Sequence, residues 1–171
     1  MQSTKTKTLI RYVLPSILSS TCYFLFTVID GIFIGRGVGT DALGAINILF
    51  PFIMIANALF LLTGVGGVSV VAVRLGRGDT DGANKAFLHS LTFTALFSLI
   101  LCLIGTLFPD KISILLGGGD EIYLDYCVEY LFCYSIFLIP SGVSMAMQNY
   151  CRNDSDPILV SVAVISGTFL N

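Results

Sequence analysis

The sequence predicts an all-α integral membrane protein, a polytopic helical bundle, on three observations. Hydrophobic residues make up 55% of its 171 residues and charged residues 12%, half the roughly 25% of an average soluble domain. The uncharged residues gather in five long runs: Tyr12–Ile34, broken only by Asp30, then 42–73, 86–109, 130–151 and 157–171. None of these runs alternates polar and apolar residues as an outer-membrane barrel strand does, and only helices and closed barrels satisfy their own backbone in lipid. The runs are therefore read as helices.

Span one covers about 12–34, long enough for a bilayer core that needs about 20 residues. Lys5, Lys7 and Arg11 before it also resemble the basic region of a signal peptide. The run is too long for such a peptide and lacks an A-x-A-like cleavage site, so it stays as a span. Gly35-Arg36-Gly37-Val38-Gly39 makes an outer turn. Span two, 45–73, carries Pro51, Asn57 near its middle, and Thr63-x-x-x-Gly67, a small-xxx-small spacing that lets helices approach closely. Span three, 87–108, is the plainest. The connection after it holds an apolar piece, Ile112–Leu116, ended by Gly117-Gly118-Gly119; a short helix lying in the interface fits it. Span four, 126–147, contains Pro140 and Gly142. Proline inside a membrane helix frees a carbonyl and permits a kink. The last run, 158–171, reaches Asn171 only 15 residues after Asp156. That is about 22 Å of helix, short of the roughly 30 Å core. The expectation is four full spans plus a truncated fifth, the front part of a longer polypeptide.

Charge sets the orientation. With the N-terminus inside, the inner segments hold Lys5, Lys7, Arg11, Arg74, Arg77, Lys85 and Arg152, and the outer ones only Arg36 and Lys111. Seven against two places the N-terminus in the cytoplasm. The expected location is a bacterial inner (cell) membrane, crossed several times. Five cysteines without a CxxC pair give neither a disulfide framework nor a metal site.

Asp30 is the most informative residue. A carboxylate at membrane depth is costly, and such groups usually face a water-filled cavity or a partner on an ion or substrate pathway. Ser16, Ser20, Tyr23, Thr27 and Asp30 recur at spacings of 4, 3, 4 and 3, one polar stripe roughly 80° wide on an ideal helix. Leu14, Leu18, Cys22, Leu25, Ile29 and Ile32 fill the opposite face. The alternative is a structural ion pair. No other span contains Lys or Arg, and His89 lies near the opposite end of span three. Asp30 therefore reads as an ion-coupling or substrate-binding acid, with Tyr23, Thr27 and Asn57 as candidate cavity-lining residues.

The other polar positions divide between site and scaffold. Tyr126, Tyr130, Cys133, Phe137, Pro140 and Ser144 share one face of span four. Tyr130 and Phe137 are candidates to line a cavity for flat cations through cation–π contacts; an aromatic belt explains the outer half equally well. Glu129, about one turn inside the outer end, can snorkel to the interface. His89, beside Lys85 and Ser90, reads as interfacial. Gly35-x-Gly37-x-Gly39 follows a membrane helix rather than a strand, which excludes a dinucleotide fingerprint. Gly76-Arg77-Gly78-Asp79 shares only letters with intramembrane aspartyl proteases. Their paired acids must share a proton, whereas Asp79 is in an inner loop and Asp30 near the other face. No catalytic residue is read here, and the chain is not expected to be an enzyme.

Taken together these segments resemble the N-terminal part of a multidrug and toxic compound extrusion (MATE) transporter, of the bacterial multidrug branch. The resemblance covers nearly the whole chain. It rests on Pro15, on Val28-Ile29-Asp30-Gly31-Ile32-Phe33-Ile34-Gly35 with Gly39 and Ala42-Leu43 following, and on Arg74-Leu75-Gly76-Arg77-Gly78-Asp79 with Ala83. Leu115-Leu116-Gly117, Asp120-Glu121-Ile122, Glu129-Tyr130-Leu131, Pro140 and Tyr150-Cys151-Arg152-Asn153-Asp154 before Pro157 continue it. The resemblance implies twelve helices in two six-helix lobes. Residues 1–171 would then be a partial N-terminal lobe, with the C-terminal lobe outside this sequence. It also implies export of amphipathic, often cationic, drug-like molecules driven by H⁺ or Na⁺. Asp30 matches the acid of the family's N-terminal cation site, and Asn171 the asparagine that shares it. Any Na⁺ would sit there; no metal site, cofactor or nucleic-acid partner is otherwise expected. The lipid bilayer and the missing C-terminal half are the implied partners. A lipid-linked oligosaccharide flippase of the same superfamily, and an inert or regulatory membrane fragment, are the competing readings.

Overall fold

A computed structural model describes residues 2–153 and 157–170. Among them every regular element is an α-helix: α1 (Gln2–Gly37), α2 (Thr40–Gly76), α3 (Thr80–Leu107), α4 (Pro109–Leu115), α5 (Glu121–Ile136), α6 (Leu138–Asn153) and α7 (Pro157–Leu170). This is an all-α membrane bundle. Among the described residues, helices α2 and α3 are each long and apolar enough to cross a bilayer, and α5 and α6 meet that standard only when taken together as one bent pair. The chain divides into two compact units, one of Met1–Phe33 with Cys151–Asn171 and one of Ile34–Tyr150.

Helix boundaries follow from local chemistry. Gly39, at φ 122°, takes a backbone shape that only glycine adopts readily, and so turns the chain from α1 into α2. The next turn uses both kinds of cap. Gly78 at φ 78° closes α2, with Gly78 N–H donating to the Leu75 carbonyl and Asp79 N–H to the Arg74 carbonyl. Asp79 then starts α3, its carboxylate accepting from the Gly82 N–H at 2.8 Å. Arg74 lies 3.8 Å from the same carboxylate. Arg74–Asp79 is thus a helix stop followed by a helix start. Helix α4 begins with Pro109 at its first position and ends where Gly118 N–H reaches back to the Ser113 carbonyl at 2.8 Å.

The second unit packs α2 against α3 and α5, with α4 laid on α3 and α5. Its core is Ala45, Leu49, Phe52, Ala56 and Phe60 of α2 with Leu101, Cys127, Leu131 and Leu138. Small residues and hydroxyls fill the tightest places. Ser90 Oγ donates to the Thr63 carbonyl at 2.6 Å, and Thr94 Oγ1 lies 2.8 Å from Thr63 Oγ1. Ser90 and the Tyr150 hydroxyl stand where a side chain on Gly67 would be. Farther along α3, Ser98 closes on Gly142 of α6 in the same way, together with Phe60 of α2.

One predicted element takes a different form. The single helix expected over 126–147 is two helices, α5 and α6, meeting at Phe137 with a bend of 52°. The cause is Pro140. It has no N–H for the carbonyl four residues back, that of Ile136, and its ring crowds that carbonyl. The break therefore falls one turn before the proline, where Phe137 N–H turns to the Tyr134 carbonyl at 3.1 Å.

The close approach at Gly142 is directly testable. A Cβ there would stand 2.5 Å from Ser98 Oγ and 2.8 Å from Phe60 Cε1, whereas one on Gly66 meets nothing within 4 Å. Gly142→Val is expected to destabilise the folded protein by about 1–3 kcal/mol, read as a lower melting temperature in detergent. Gly66→Ala should not lower it. A Gly142→Val protein that melts with the wild type would contradict this packing.

Candidate functional site

The acid of α1 stands on the helix as its spacing requires. Residues 2–37 form one uninterrupted helix, so positions 16, 20, 23, 27 and 30 fall on a single stripe. Ser20, Thr27 and Asp30 on that stripe are exposed within this chain. Leu18, Leu25, Ile29 and Ile32 on the opposite face are also exposed, each at 50% or more. The helix therefore presents one face suited to water and one suited to lipid. Of Tyr23 only the backbone is described, and Asn171 lies outside the described residues. Helix α7, which leads to Asn171, belongs to the same compact unit as Asp30.

The remaining candidates belong to the second unit. Asn57 is half-buried on α2, next to the buried Ala56. Tyr130 is half-buried too and packs against the core cluster, its ring stacked on Tyr134 at 6.1 Å and 9°. Phe137, at the α5–α6 break, is 65% exposed. Cys133, Pro140 and Ser144 are exposed with it, while Cys127, Leu131, Ser135, Leu138, Gly142 and Ala146 turn inward. Apart from Tyr130, which packs on the core, these residues of the aromatic face are exposed, and the bend of the helix pair is centred on Phe137.

Sequence reading missed the polar seam inside this unit. Thr63, Ser90 and Thr94 link α2 and α3 through hydroxyl contacts, Ser98 continues the stripe with a bond to the Thr94 carbonyl of its own helix, and Thr94 and Ser98 are fully buried. Their spacing of four along α3 (90, 94, 98) was the available signal. In a membrane helix such a stripe marks either a wet face or a packing face, and the sequence alone does not separate them. Among the described residues no three His, Cys, Asp or Glu side chains gather into a metal-ligating group.

The chain was compared with known proteins. The MatE family model matches residues 15–171. Over 168 residues the chain is 24% identical to the multidrug export protein MepA of Staphylococcus haemolyticus, covering 96% of this chain and 36% of that protein. It is 23% identical over 145 residues to the probable multidrug resistance protein YoeA of Bacillus subtilis, covering 78% and 31%. A third relative is the FAD transporter of Shewanella oneidensis, 29% identical over 115 residues, 67% of this chain and 25% of that protein. The chain thus spans about a third or less of the length of these relatives. No solved structure matches it significantly. With the family model covering all but its first 14 residues, the chain belongs to the MatE family of membrane transporters.

Proposed function

We propose that the complete protein is a cation-coupled multidrug efflux antiporter, exporting amphipathic, often cationic compounds in exchange for H⁺ or Na⁺. The observation that carries this reading is Asp30, the one charge in Tyr12–Ile34, on a helix whose polar stripe it ends. Two relatives named for multidrug export or resistance support it. The FAD transporter directs attention to an anionic cargo, which calls for cationic groups in the cavity. The predicted spans of this chain contain no Lys or Arg, which favours the cationic class.

The proposed mechanism follows from the cost of charge in lipid. Binding a proton or Na⁺ at Asp30 removes a net charge from the polar stripe and so changes how favourably that face is hydrated. Two states that differ in the hydration of α1 are then populated according to occupancy. Rocking of one lobe against the other converts this into alternating access. In this reading the chain contributes four spans and part of a fifth to the N-terminal lobe of a twelve-helix protein, with its N-terminus in the cytoplasm. Asn171 joins Asp30 at the ion site, and Tyr23, Thr27, Asn57, Tyr130 and Phe137 line the drug path.

Asp30→Asn in the complete protein keeps size and hydrogen bonding but removes the charge. It is expected to abolish gradient-driven dye efflux while leaving the protein folded in the membrane, since a neutral side chain costs less to bury. Asp30→Glu should keep partial efflux with a shifted pH or Na⁺ dependence. Native rates and native ion dependence in the Asn variant would remove Asp30 from the coupling role.

The 171-residue chain expressed alone should export nothing, because the polar stripe of α1 then lacks the partners that complete a cavity. Dye efflux by it in cells stripped of endogenous exporters would overturn that expectation. For orientation, Gly119 is exposed in the turn before α5, and a Cβ there has only Ile114 Cγ2 nearby, at 3.8 Å. Gly119→Cys in a Cys-free background should react with impermeant maleimide from outside intact cells. Labelling only after the cells are opened would reverse the topology.

A further inference from the structure

A groove of ≈ 460 Å³ runs along the joint of α2 and α3, within the second unit and on residues that the transport reading does not use. Its chemistry changes from one end to the other. Arg74, Lys85 and His89 line it near the α2–α3 turn, while Leu62, Val70 and Phe93, with the hydroxyl residues Thr63 and Ser90, line the remainder. Gly66 leaves open space in it, since a Cβ there would meet nothing within 4 Å, while Ser90 stands against Gly67. Leu62 and Phe93 are 67% and 53% exposed, so the apolar stretch is open to whatever surrounds the bundle.

We infer that this groove is a binding site for an anionic phospholipid, its phosphate held by Arg74 and Lys85 and one acyl chain laid past Gly66 toward Leu62. Three arguments support that occupant. The basic residues stand at the turn between two membrane helices, where lipid headgroups lie, and basic pockets between such helices take anionic headgroups. The guanidinium of Arg74 is held at the start of α3: its Nη1 lies 2.5 Å from where a Cβ on Gly82 would be, and it is 3.8 Å from Asp79. That single loose contact leaves most of its five N–H donors for a phosphate. Asp79 and Asp81 are the acids of this turn; Asp79 is committed to the Gly82 N–H and Arg74. Length supplies the third argument. Arg74 and Leu62 are 12 residues apart on one helix, about 18 Å, close to half the roughly 30 Å hydrocarbon core and so to the depth of one leaflet. A free phosphate would leave the apolar stretch empty.

The test uses the complete gene product, extracted from bilayers of mixed phosphatidylcholine and phosphatidylglycerol, with retained lipid identified by native mass spectrometry. Phosphatidylglycerol should be retained well above its share of the bilayer. Arg74→Gln combined with Lys85→Gln should lower that retention about thirtyfold, since each basic group near the surface contributes on the order of 1 kcal/mol. Gly66→Leu places a side chain in the groove from a position where a Cβ meets nothing within 4 Å. It should reduce retention without lowering the melting temperature, and it decides the matter if the double variant fails to fold. Retention of the two lipids in bulk proportion, unchanged retention in Gly66→Leu, or displacement of the lipid by inorganic phosphate alone would each overturn the assignment.

Discussion

Apolar side chains gain nothing by leaving hydrocarbon for a protein interior, so helices in lipid must be held together by close packing and by hydrogen bonds between them. The second unit meets this constraint at the joint of α2 and α3. Thr63 is its centre: its carbonyl receives Ser90 Oγ, its hydroxyl lies within 2.8 Å of Thr94 Oγ1, and it also reaches the Leu59 carbonyl at 3.0 Å. One turn on, Gly67 admits Ser90 and Tyr150. Each of these contacts needs the backbones close, and each small residue is what lets them come close. Without this joint neither the bent α5–α6 pair nor the groove beside Gly66 would have a fixed wall.

Pro51 and Pro140, both inside spans, show how packing decides what a local defect does. Pro51 and Pro140 each deprive a carbonyl four residues back of its partner. Helix α2 nevertheless runs unbroken from Thr40 to Gly76, while the other span breaks at Phe137. Around Pro51, Leu49 and Phe52 are buried in the core and hold both sides of the defect in line. Around the freed carbonyl of Ile136, Ile136 and Phe137 are 47% and 65% exposed, and nothing opposes the bend. A proline is thus a permission, and the surrounding contacts decide whether the chain uses it.

Much of this was legible in the sequence. Uncharged runs located the helices because charge is costly in lipid, and glycine marked the ends of α1 and α4. The short helix after span three was visible as Ile112–Leu116 before three glycines. Side-chain direction was not legible in the same way. In a soluble protein an apolar face points inward, but here Leu49 is fully buried and Leu62 is 67% exposed with the same side chain. Hydrophobic periodicity carries little information when both surroundings are apolar. The hydroxyls of Ser90, Thr94 and Ser98 therefore defined the packing face that leucines could not. Tyr130 illustrates the remaining ambiguity, since an amphipathic ring suits a cavity wall and a core edge equally, and here it packs on the core.

The stripe on α1 stands apart from this logic. No Lys or Arg falls within the long uncharged runs, and two of the described basic side chains have contacts elsewhere. Arg74 leans on Asp79, and Lys111 lies 5.3 Å over the Phe108 ring. A carboxylate at membrane depth needs compensation. The chain supplies hydroxyls along the same face, Ser20 and Thr27, which can solvate a bound cation or a proton-carrying water but cannot neutralise a charge. In the reading proposed above, what balances Asp30 is a mobile ion. An acid whose counter-charge is mobile is one whose energy depends on the ion gradient, and that dependence is what coupling requires.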